Sequence, residues 1–138
     1  MRKKHLAMAL SRLEGFRDPP KPELEQYRTP GGDVAAELLW MAHSLGDIEG
    51  KVIADLGAGT GVLTIGACLL GAGRVYAVEV DGAAIEVLRR NVEAAGVGGE
   101  CVEVVNSDVS EFSGRAEVVV MNPPFGAQNP PTPTGPFS

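Results

Sequence analysis

The sequence predicts an α/β protein with a doubly wound parallel sheet, and two observations carry that prediction. From Lys51 onward, short apolar strands alternate with helical stretches, and this alternation requires crossover connections between parallel strands. A glycine-rich turn at 57–61 joins the first of these strands to a helix, an arrangement typical of α/β folds that bind a ligand at this turn. We expect a single domain, because 138 residues can bury one modest core.

The first 50 residues predict two helices separated by a connector. The apolar residues between Lys4 and Phe16 have helical spacing, and several prolines with two adjacent glycines make 18–32 an extended connector. A second helix is expected from Val34 to Leu45, with Asp33 as its N-cap and Gly46 after its end. The side chains of this helix expected to face the core are those of Leu38, Leu39, Met41, Ala42 and Leu45.

The predicted sheet region then follows in order. The first strand, Lys51 to Leu56, leads through the glycine turn into an apolar helix from Val62 to Leu70. The remaining predicted elements are a strand from Arg74 to Val80, a helix from Gly82 to Ala95, a strand from Cys101 to Val105 and a strand from Ala116 to Met121.

Composition indicates a soluble globular protein, with 44% hydrophobic and 22% charged residues. No apolar run approaches the length that crosses a bilayer, and the N-terminus lacks a signal-peptide core, so we expect a cytoplasmic protein without membrane contact. Cys68 and Cys101 lie far apart and form no CxxC pair. We therefore expect two buried thiols, with neither a disulfide nor a metal site.

The charge is unevenly distributed along the chain. Residues 1–28 carry seven Lys or Arg against four Asp or Glu, whereas the other 110 residues carry five against fourteen. An acidic body does not hold nucleic acid by electrostatics alone. If RNA is the substrate, the basic N-terminal segment is the expected contributor, although an ordinary solvated helix face explains the same charges.

The glycine turn is the first motif that indicates a ligand. Gly57, Gly59 and Gly61 have the spacing GxGxG, and Val62 stands where a dinucleotide fingerprint has its third glycine. Asp55, just before these glycines, would repel a pyrophosphate but would accept hydrogen bonds from an ammonium group. The motif therefore favours a ligand with an amino acid end, and a purely structural turn stays open as the alternative.

Two further acidic residues follow the next strands. Glu79 lies about twenty residues beyond the glycine turn, where an acid can accept hydrogen bonds from both ribose hydroxyls. Asp108 follows the third strand and would reach the same edge of the sheet, where it can receive an adenine amine. Together with Asp55, these carboxylates predict a nucleoside site at the carboxyl edge of the sheet.

The fourth strand ends in the most specific motif of the chain, Asn122-Pro123-Pro124-Phe125. Two prolines fix the backbone and remove two donors, so carbonyl groups near Asn122 and Pro123 are left to face outward. The Asn122 side chain and a backbone oxygen can then hold both hydrogens of a planar amine, and Phe125 offers a face for stacking a base. A proline turn that merely ends a strand is the alternative.

These motifs resemble those of S-adenosylmethionine-dependent methyltransferases with an NPPF or NPPY loop. The resemblance is closer to the methyltransferase-like-five family of small-subunit rRNA adenine methyltransferases, especially archaeal members. It rests on Ser11 to Phe16, Leu24 to Pro30, Asp55 to Gly61 and Asn122 to Gln128, and it covers residues 2–128. The resemblance implies a Rossmann-like class I methyltransferase fold with strand order 3-2-1-4, and N6 methylation of adenine in RNA.

The resemblance also implies roles for individual residues and a partner. Asn122, Pro123, Pro124 and Phe125 would hold the target base, and Thr60 stands where some relatives have cysteine. A small zinc-binding activator protein would dock along the edge strand Cys101 to Val105. The residues that would bind the cofactor S-adenosylmethionine are Gln26, Tyr27, Thr29, Asp55, Gly57, Gly59, Thr60, Gly61, Val62, Glu79, Asp108 and Val109.

The last ten residues depart from the family. We expect 1–32 to form an N-terminal helix and a cofactor-covering connector, and 33–128 an incomplete cofactor-binding domain that lacks the later strands. The tail 129–138 is rich in proline and cannot continue a sheet. Read in a shifted frame, codons for this tail can encode the run His-Ala-Asp-Arg-Pro-Phe-Leu found in relatives, so a frameshift is our hypothesis, and resequencing the source DNA tests it.

Two alternatives to RNA adenine methylation stay open. The same loop serves guanine amines in rRNA, adenine in DNA and glutamine amides in proteins, and only the segment Leu24 to Pro30 and the short N-terminus separate these substrates. The chain would otherwise be a non-catalytic module that binds cofactor or a partner. Transfer of a labelled methyl group to rRNA by this chain would exclude that alternative.

Overall fold

The computed structural model describes residues 1–15 and 30–121, with the backbone alone for 30–33. The helices are α1 (Lys3–Ser11), α2 (Pro30–Ser44), α3 (Val62–Leu69) and α4 (Gly82–Ala95). The strands are β1 (Val52–Leu56), β2 (Arg74–Glu79), β3 (Val102–Asn106) and β4 (Val118–Met121), and a short 3-10 helix covers Val109–Glu111. Within these ranges, no helix is long and apolar enough to cross a membrane.

The four strands form one parallel sheet in the order β3-β2-β1-β4. Leu56 on β1 pairs with Val78 on β2 and with Met121 on β4, and Val78 pairs in turn with Val105 on β3. The carboxyl ends of all four strands therefore lie in one row. The predicted parallel sheet and its strand order are confirmed.

The core lies between one face of the sheet and the helices. Ile53, Val75 and Ala77 are fully buried, and they share a cluster with Leu39 of α2 and Leu88 of α4. Register aligns Ile53 with Val75, and side chains of a strand alternate between faces, so these residues form one apolar surface. The helices cover this surface and leave the carboxyl edge of the sheet for the loops.

Helix α2 begins earlier than predicted. It starts at Pro30, whose fixed φ and missing N–H suit the first turn of a helix, so the prediction of a start at Val34 is wrong. Asp33 is consequently inside the first turn of the helix and is not its N-cap. The expected domain boundary between residues 32 and 33 falls inside this helix.

The buried face of α2 also differs from the prediction. Leu38, Met41 and Leu45 are 48%, 63% and 72% exposed, so the expectation that they face the core is wrong, whereas Leu39 is fully buried as predicted. The small Ala36, three positions earlier on the same face of the helix, is buried beside Leu39. Apolar residues occur on several sides of this helix, so periodicity could not select the buried one.

Helix α1 is shorter than predicted, but its apolar face is correct. It ends at Ser11, and Leu6, Leu10 and Leu13 are buried, the last of them beyond the helix end. The expected end at Phe16 lies outside the described residues. The chain after α1 runs toward the glycine turn, where Asn91 donates to the carbonyls of both Glu14 and Thr60.

Cys68 and Cys101 form a disulfide, so the prediction of two separate buried thiols is wrong. Cys68 lies in the last turn of α3, and Cys101 lies just before β3, with 6.2 Å between their Cα atoms. Both side chains are half-buried. The sequence separation of 33 residues hides this pairing, because β2 and α4 lie between the two cysteines and return the chain to the end of α3.

Candidate cofactor site

The glycine turn leaves β1 and opens α3 with an unusual backbone. Gly57, Gly59 and Gly61 have φ values of 77°, 58° and 99°, in the left-handed region that glycine adopts without strain. The N–H groups of Gly57 and Ala58 both donate to the Val78 carbonyl at 2.9 Å, which fastens the turn to β2. A Cβ on Gly57 would meet nothing within 4 Å, so this side of the turn has room for a ligand.

Asp55 lies beneath the turn and is fully buried. Its Oδ2 accepts a hydrogen bond from the Thr64 hydroxyl at 2.7 Å, and its Oδ1 has no hydrogen-bond partner. Burial raises the pKa of this carboxyl from 3.8 to about 6, the bonds from Thr64 lower it, and the nearby charge of Glu79 raises it. The carboxyl is therefore mostly ionised at neutral pH, at a cost in free energy.

Glu79 ends β2 and holds the turn in place. Its Oε1 accepts the Gly59 N–H at 2.7 Å, and its Oε2 accepts the N–H groups of Val80 and Asp81 at 3.1 and 3.0 Å. A carboxylate has about four acceptor positions, so three are already used. If Glu79 receives ribose hydroxyls as the sequence predicts, those hydroxyls must share the carboxylate with these backbone groups.

Asp108 lies beyond β3 and caps the 3-10 helix. Its Oδ1 accepts hydrogen bonds from the backbone N–H and the hydroxyl of Ser110, at 2.9 and 3.1 Å. These bonds lower the pKa of Asp108, which is fully exposed. Val109, the next residue, is also exposed, so an apolar and an acidic side chain are adjacent at this end of the sheet.

The structure places the predicted site residues of the glycine turn beside those that follow or end β2 and β3. Gly59 contacts Glu79 directly, Thr60 and Val62 complete the turn, and Asp108 follows the neighbouring strand. The predictions for Gln26, Tyr27, Thr29, Asn122, Pro123, Pro124 and Phe125 lie outside the described residues.

Two buried polar residues at this edge were not predicted. Thr64 is the hydrogen-bond partner of Asp55, and Asn91 on α4 contacts the carbonyl of Thr60 at 2.9 Å. Asn91 lies between Leu88 and Val92 on the inward face of α4, where a polar residue needs a partner. That position was the sequence signal that could have revealed it.

Comparison with known families decides what this site belongs to. The model of the methyltransferase small domain family matches residues 29–133, most of the chain and the whole sheet. The chain belongs to this family. Membership supports S-adenosylmethionine as the cofactor of the site at the glycine turn.

Individual relatives agree with this family. The zebrafish (Danio rerio) rRNA N(6)-adenosine-methyltransferase METTL5 is 37% identical over 133 residues, covering 94% of this chain and 63% of the relative. The corresponding Drosophila melanogaster enzyme is 38% identical, covering 87% of this chain and 57% of the relative. The chain thus spans about 60% of the length of these methyltransferases.

Solved structures confirm the fold. The crystal structure of a candidate RNA methyltransferase from Pyrococcus horikoshii superposes with a TM-score of 0.77 at 60% identity, covering 92% of this chain and 62% of that one. A Thermoplasma acidophilum structure superposes with a TM-score of 0.68 at 34% identity, covering 90% of this chain and 55% of that one. The predicted Rossmann-like class I methyltransferase fold is therefore confirmed, as is the predicted resemblance to the rRNA adenine methyltransferases.

Proposed function

We propose that the protein to which this chain belongs transfers a methyl group from S-adenosylmethionine to N6 of adenine in small-subunit rRNA. The observation that carries the proposal is the hydrogen bond from the Gly59 N–H to Glu79. It joins the two parts of the proposed nucleoside site, which are the glycine turn and the acidic residue at the end of β2. The relatives named as rRNA N(6)-adenosine-methyltransferases supply the substrate class.

The site suits the proposed cofactor in shape and charge. The open space beside Gly57 suits the methionine end, and Val62 begins α3 directly after the turn. Glu79 suits the ribose, because ribose hydroxyls donate to carboxylates. Asp108 and Val109 together suit an adenine, one as an acceptor for its amine and the other as an apolar contact.

The position of the target amine is supported by the register of the sheet. Met121 pairs with Leu56, so the chain passes directly from the residue beside the end of β1 into Asn122. In our proposal, the Asn122 side chain and the Pro123 carbonyl accept the two amine hydrogens, and Phe125 stacks on the base. The substrate base must leave its stack for this contact, as in other enzymes that modify bases.

Catalysis in this proposal is mainly orientation. S-adenosylmethionine supplies an electrophilic methyl group. The amine nitrogen forms the new bond to that carbon as the bond between carbon and sulfur breaks, and the amine proton then leaves to solvent. Residues that hold the amine in line supply most of the rate, because correct alignment is worth several orders of magnitude without a strong base.

The basic N-terminal segment supports contact with RNA. Arg2 just before α1 and Lys4 on α1 are exposed, whereas Lys3 pairs with Glu37 of α2 at 3.1 Å. The body of the chain is acidic, so these cations would supply the contacts to phosphate. A ribosomal RNA substrate agrees with the expected cytoplasmic location.

The expected small zinc-binding activator has a suitable surface at β3. Within the described residues this strand lies at the edge of the sheet, so one of its sides has no strand beside it there and another strand can add to it. Beside it is a groove of about 470 Å³, lined by Leu88 and Val92 of α4 and by Val102 and Val104 of β3. We expect Val104→Lys to prevent such a partner from co-eluting in gel filtration without changing cofactor affinity.

Two measurements test the proposed function. Calorimetry with S-adenosylhomocysteine measures cofactor binding, and we expect Glu79→Gln to weaken it at least tenfold, since a neutral amide accepts fewer and weaker hydrogen bonds. Glu103→Gln is the matched control, because Glu103 pairs with Arg74 on the exposed face of the sheet, away from the turn. Equal affinities for both variants would contradict the proposed site.

The reaction itself is tested with unmodified small-subunit rRNA and labelled cofactor. Nucleoside analysis after digestion should find the label in N6-methyladenosine, and Asn122→Ala should abolish transfer while cofactor binding persists. Label in guanosine, in DNA or in protein glutamine would replace the proposed substrate with one of the other planar amines. Cofactor binding without any transfer would favour a non-catalytic module.

A further inference from the structure

The glycine turn is fastened by a buried amide as well as by Glu79. Asn91 is only 2% exposed on the inward face of α4. Its Nδ2 donates to the Thr60 carbonyl at 2.9 Å and to the Glu14 carbonyl at 3.1 Å, and its Oδ1 accepts the Glu14 N–H at 2.9 Å. One side chain thus joins the chain after α1 to the end of the glycine turn.

The Thr60 carbonyl is a sensitive point for this contact. It belongs to the peptide unit between Thr60 and Gly61, and the N–H of that unit donates to the Ala58 carbonyl at 2.9 Å. A peptide unit is planar, so holding its carbonyl toward Asn91 also orients its N–H. Gly61 is the N-cap of α3, so this peptide unit sets where the N–H groups at the helix start point.

The chain after α1 approaches Thr60 closely enough to exclude a side chain. Gly15 has a φ of 101°, and a Cβ at this position would lie 2.8 Å from Thr60 Cγ2. Contacts that short do not occur between real carbon atoms, so Thr60 would have to move. Glu14 also pairs with Arg90 at 3.0 Å, but this exposed ion pair is expected to contribute little to stability.

We infer that Asn91 is a positioning residue for the cofactor: it orients the Thr60–Gly61 peptide and makes the chain after α1 part of the support of the turn. This inference rests on the proposed cofactor binding at the turn. It assigns the N-terminal segment a role in cofactor affinity that is separate from any contact with RNA.

Asn91→Leu tests the inference, because leucine keeps the volume and removes all three hydrogen bonds. We expect the dissociation constant for S-adenosylhomocysteine to rise about tenfold, since the Thr60 and Glu14 carbonyls lose a donor in a buried site. Arg90→Gln is the control on the same helix, because it removes the ion pair and leaves the amide contacts. It should bind within twofold of the wild type.

A merely structural role would give a different result. Ile48→Val is the control for stability alone. It removes one methyl group from a buried side chain before β1, so it should lower the unfolding midpoint without changing the glycine turn. If Asn91→Leu lowers the midpoint in the same way and binds S-adenosylhomocysteine within twofold of the wild type, the inference is wrong. A wild-type chain that does not bind S-adenosylhomocysteine would instead refute the proposed cofactor site, and the inference with it.

A second pair of variants approaches the same contact from the other side. Gly15→Ala should weaken binding of S-adenosylhomocysteine, because alanine strains the backbone at a φ of 101° and its methyl group displaces Thr60. Adding Thr60→Ala removes the two atoms nearest to the new methyl group and should restore part of the affinity. If the double variant binds no better than Gly15→Ala alone, the position of Thr60 does not connect the N-terminal segment to the cofactor, and the inference is overturned.

Discussion

The buried carboxyl of Asp55 makes the stability of the fold depend on pH in a specific direction. Burial raises its pKa from 3.8 to about 6. The folded state therefore holds this proton more tightly than the unfolded state, so the contribution of Asp55 to stability is greatest below pH 3.8 and falls as pH rises to about 6. A shift of roughly two pKa units corresponds to a loss of about 3 kcal/mol above pH 6, at about 1.4 kcal/mol per unit.

Asp55→Asn removes the ionisable group and keeps its shape. The amide oxygen can still accept the hydrogen bond from Thr64, so the variant and the wild type should be similar at pH 4, where the folded carboxyl is protonated. At pH 7 the variant should be more stable by about 3 kcal/mol, because the cost of the buried charge is gone. The difference between the two proteins should therefore grow by about 2 kcal/mol between pH 4 and pH 7.

Urea denaturation followed by circular dichroism at pH 4, 5, 6, 7 and 8 measures this difference. Asp47→Asn is the matched control, because it makes the same substitution at an exposed position in the turn after α2. The comparison separates the effect of the buried site from that of the substitution itself. A constant difference for Asp55→Asn would refute the reasoning, since it would mean that folding leaves the affinity of this carboxyl for its proton unchanged.

Two further predictions concern packing and the covalent link. Replacing Cys68 and Cys101 together by serine should lower the free energy of unfolding by about 3.7 kcal/mol, because the disulfide limits the chain entropy of a loop of this length. Urea denaturation without reductant measures this loss. If dithiothreitol does not cause the same loss in the wild type, the result would contradict the disulfide. Gly66→Ala should lower that free energy by about 1–3 kcal/mol, because the new methyl group would overlap Leu39, whereas Gly82→Ala, with open space around it at the start of α4, should be neutral or slightly stabilising. Equal effects of the two glycine variants would show that α2 and α3 do not pack closely at Gly66.

The sheet could be predicted from sequence because its signals are local. Each strand is a short apolar run, and each crossover contains a helix or turn residues that end it, so the order follows from the rules for parallel sheets. Glycines with positive φ, such as Gly57 and Gly61, stand where no other residue fits without strain. These features need no knowledge of distant contacts.

The buried face of α2 and the disulfide could not be predicted, since both depend on distant parts of the chain. Leu38 and Leu39 are equally apolar, and only the packing of α1 and α3 determines that Leu39 is the buried one. Cys68 and Cys101 become neighbours only once α3 and β2 are in place. Sequence spacing reports contacts within one element and does not report these.

The predicted site follows the same division. Asp55, Glu79 and Asp108 each follow or end a strand, so the sheet rules alone bring them to one edge. Asn91 lies on α4, which β2 separates in sequence from the glycine turn and α3. Its partners are backbone atoms of Glu14 and Thr60. No pattern of residue types encodes a contact with a backbone carbonyl.

The buried polar side chains of the described residues gather at the glycine turn, although the half-buried His43 on α2 also has an unpaired buried atom, its Nδ1. The gathering supports the site independently of any comparison. Asp55 places a carboxyl in the core with one oxygen unpaired, and Asn91 places an amide among apolar side chains. Each lowers stability relative to an apolar residue of similar volume, unless its hydrogen bonds offset the cost of burial. In the rest of the described chain, Thr64 is the other buried polar side chain, and it bonds to Asp55. A fold selected for stability alone would not concentrate these groups around one loop, whereas a loop that must keep a fixed backbone shape beside a ligand requires them.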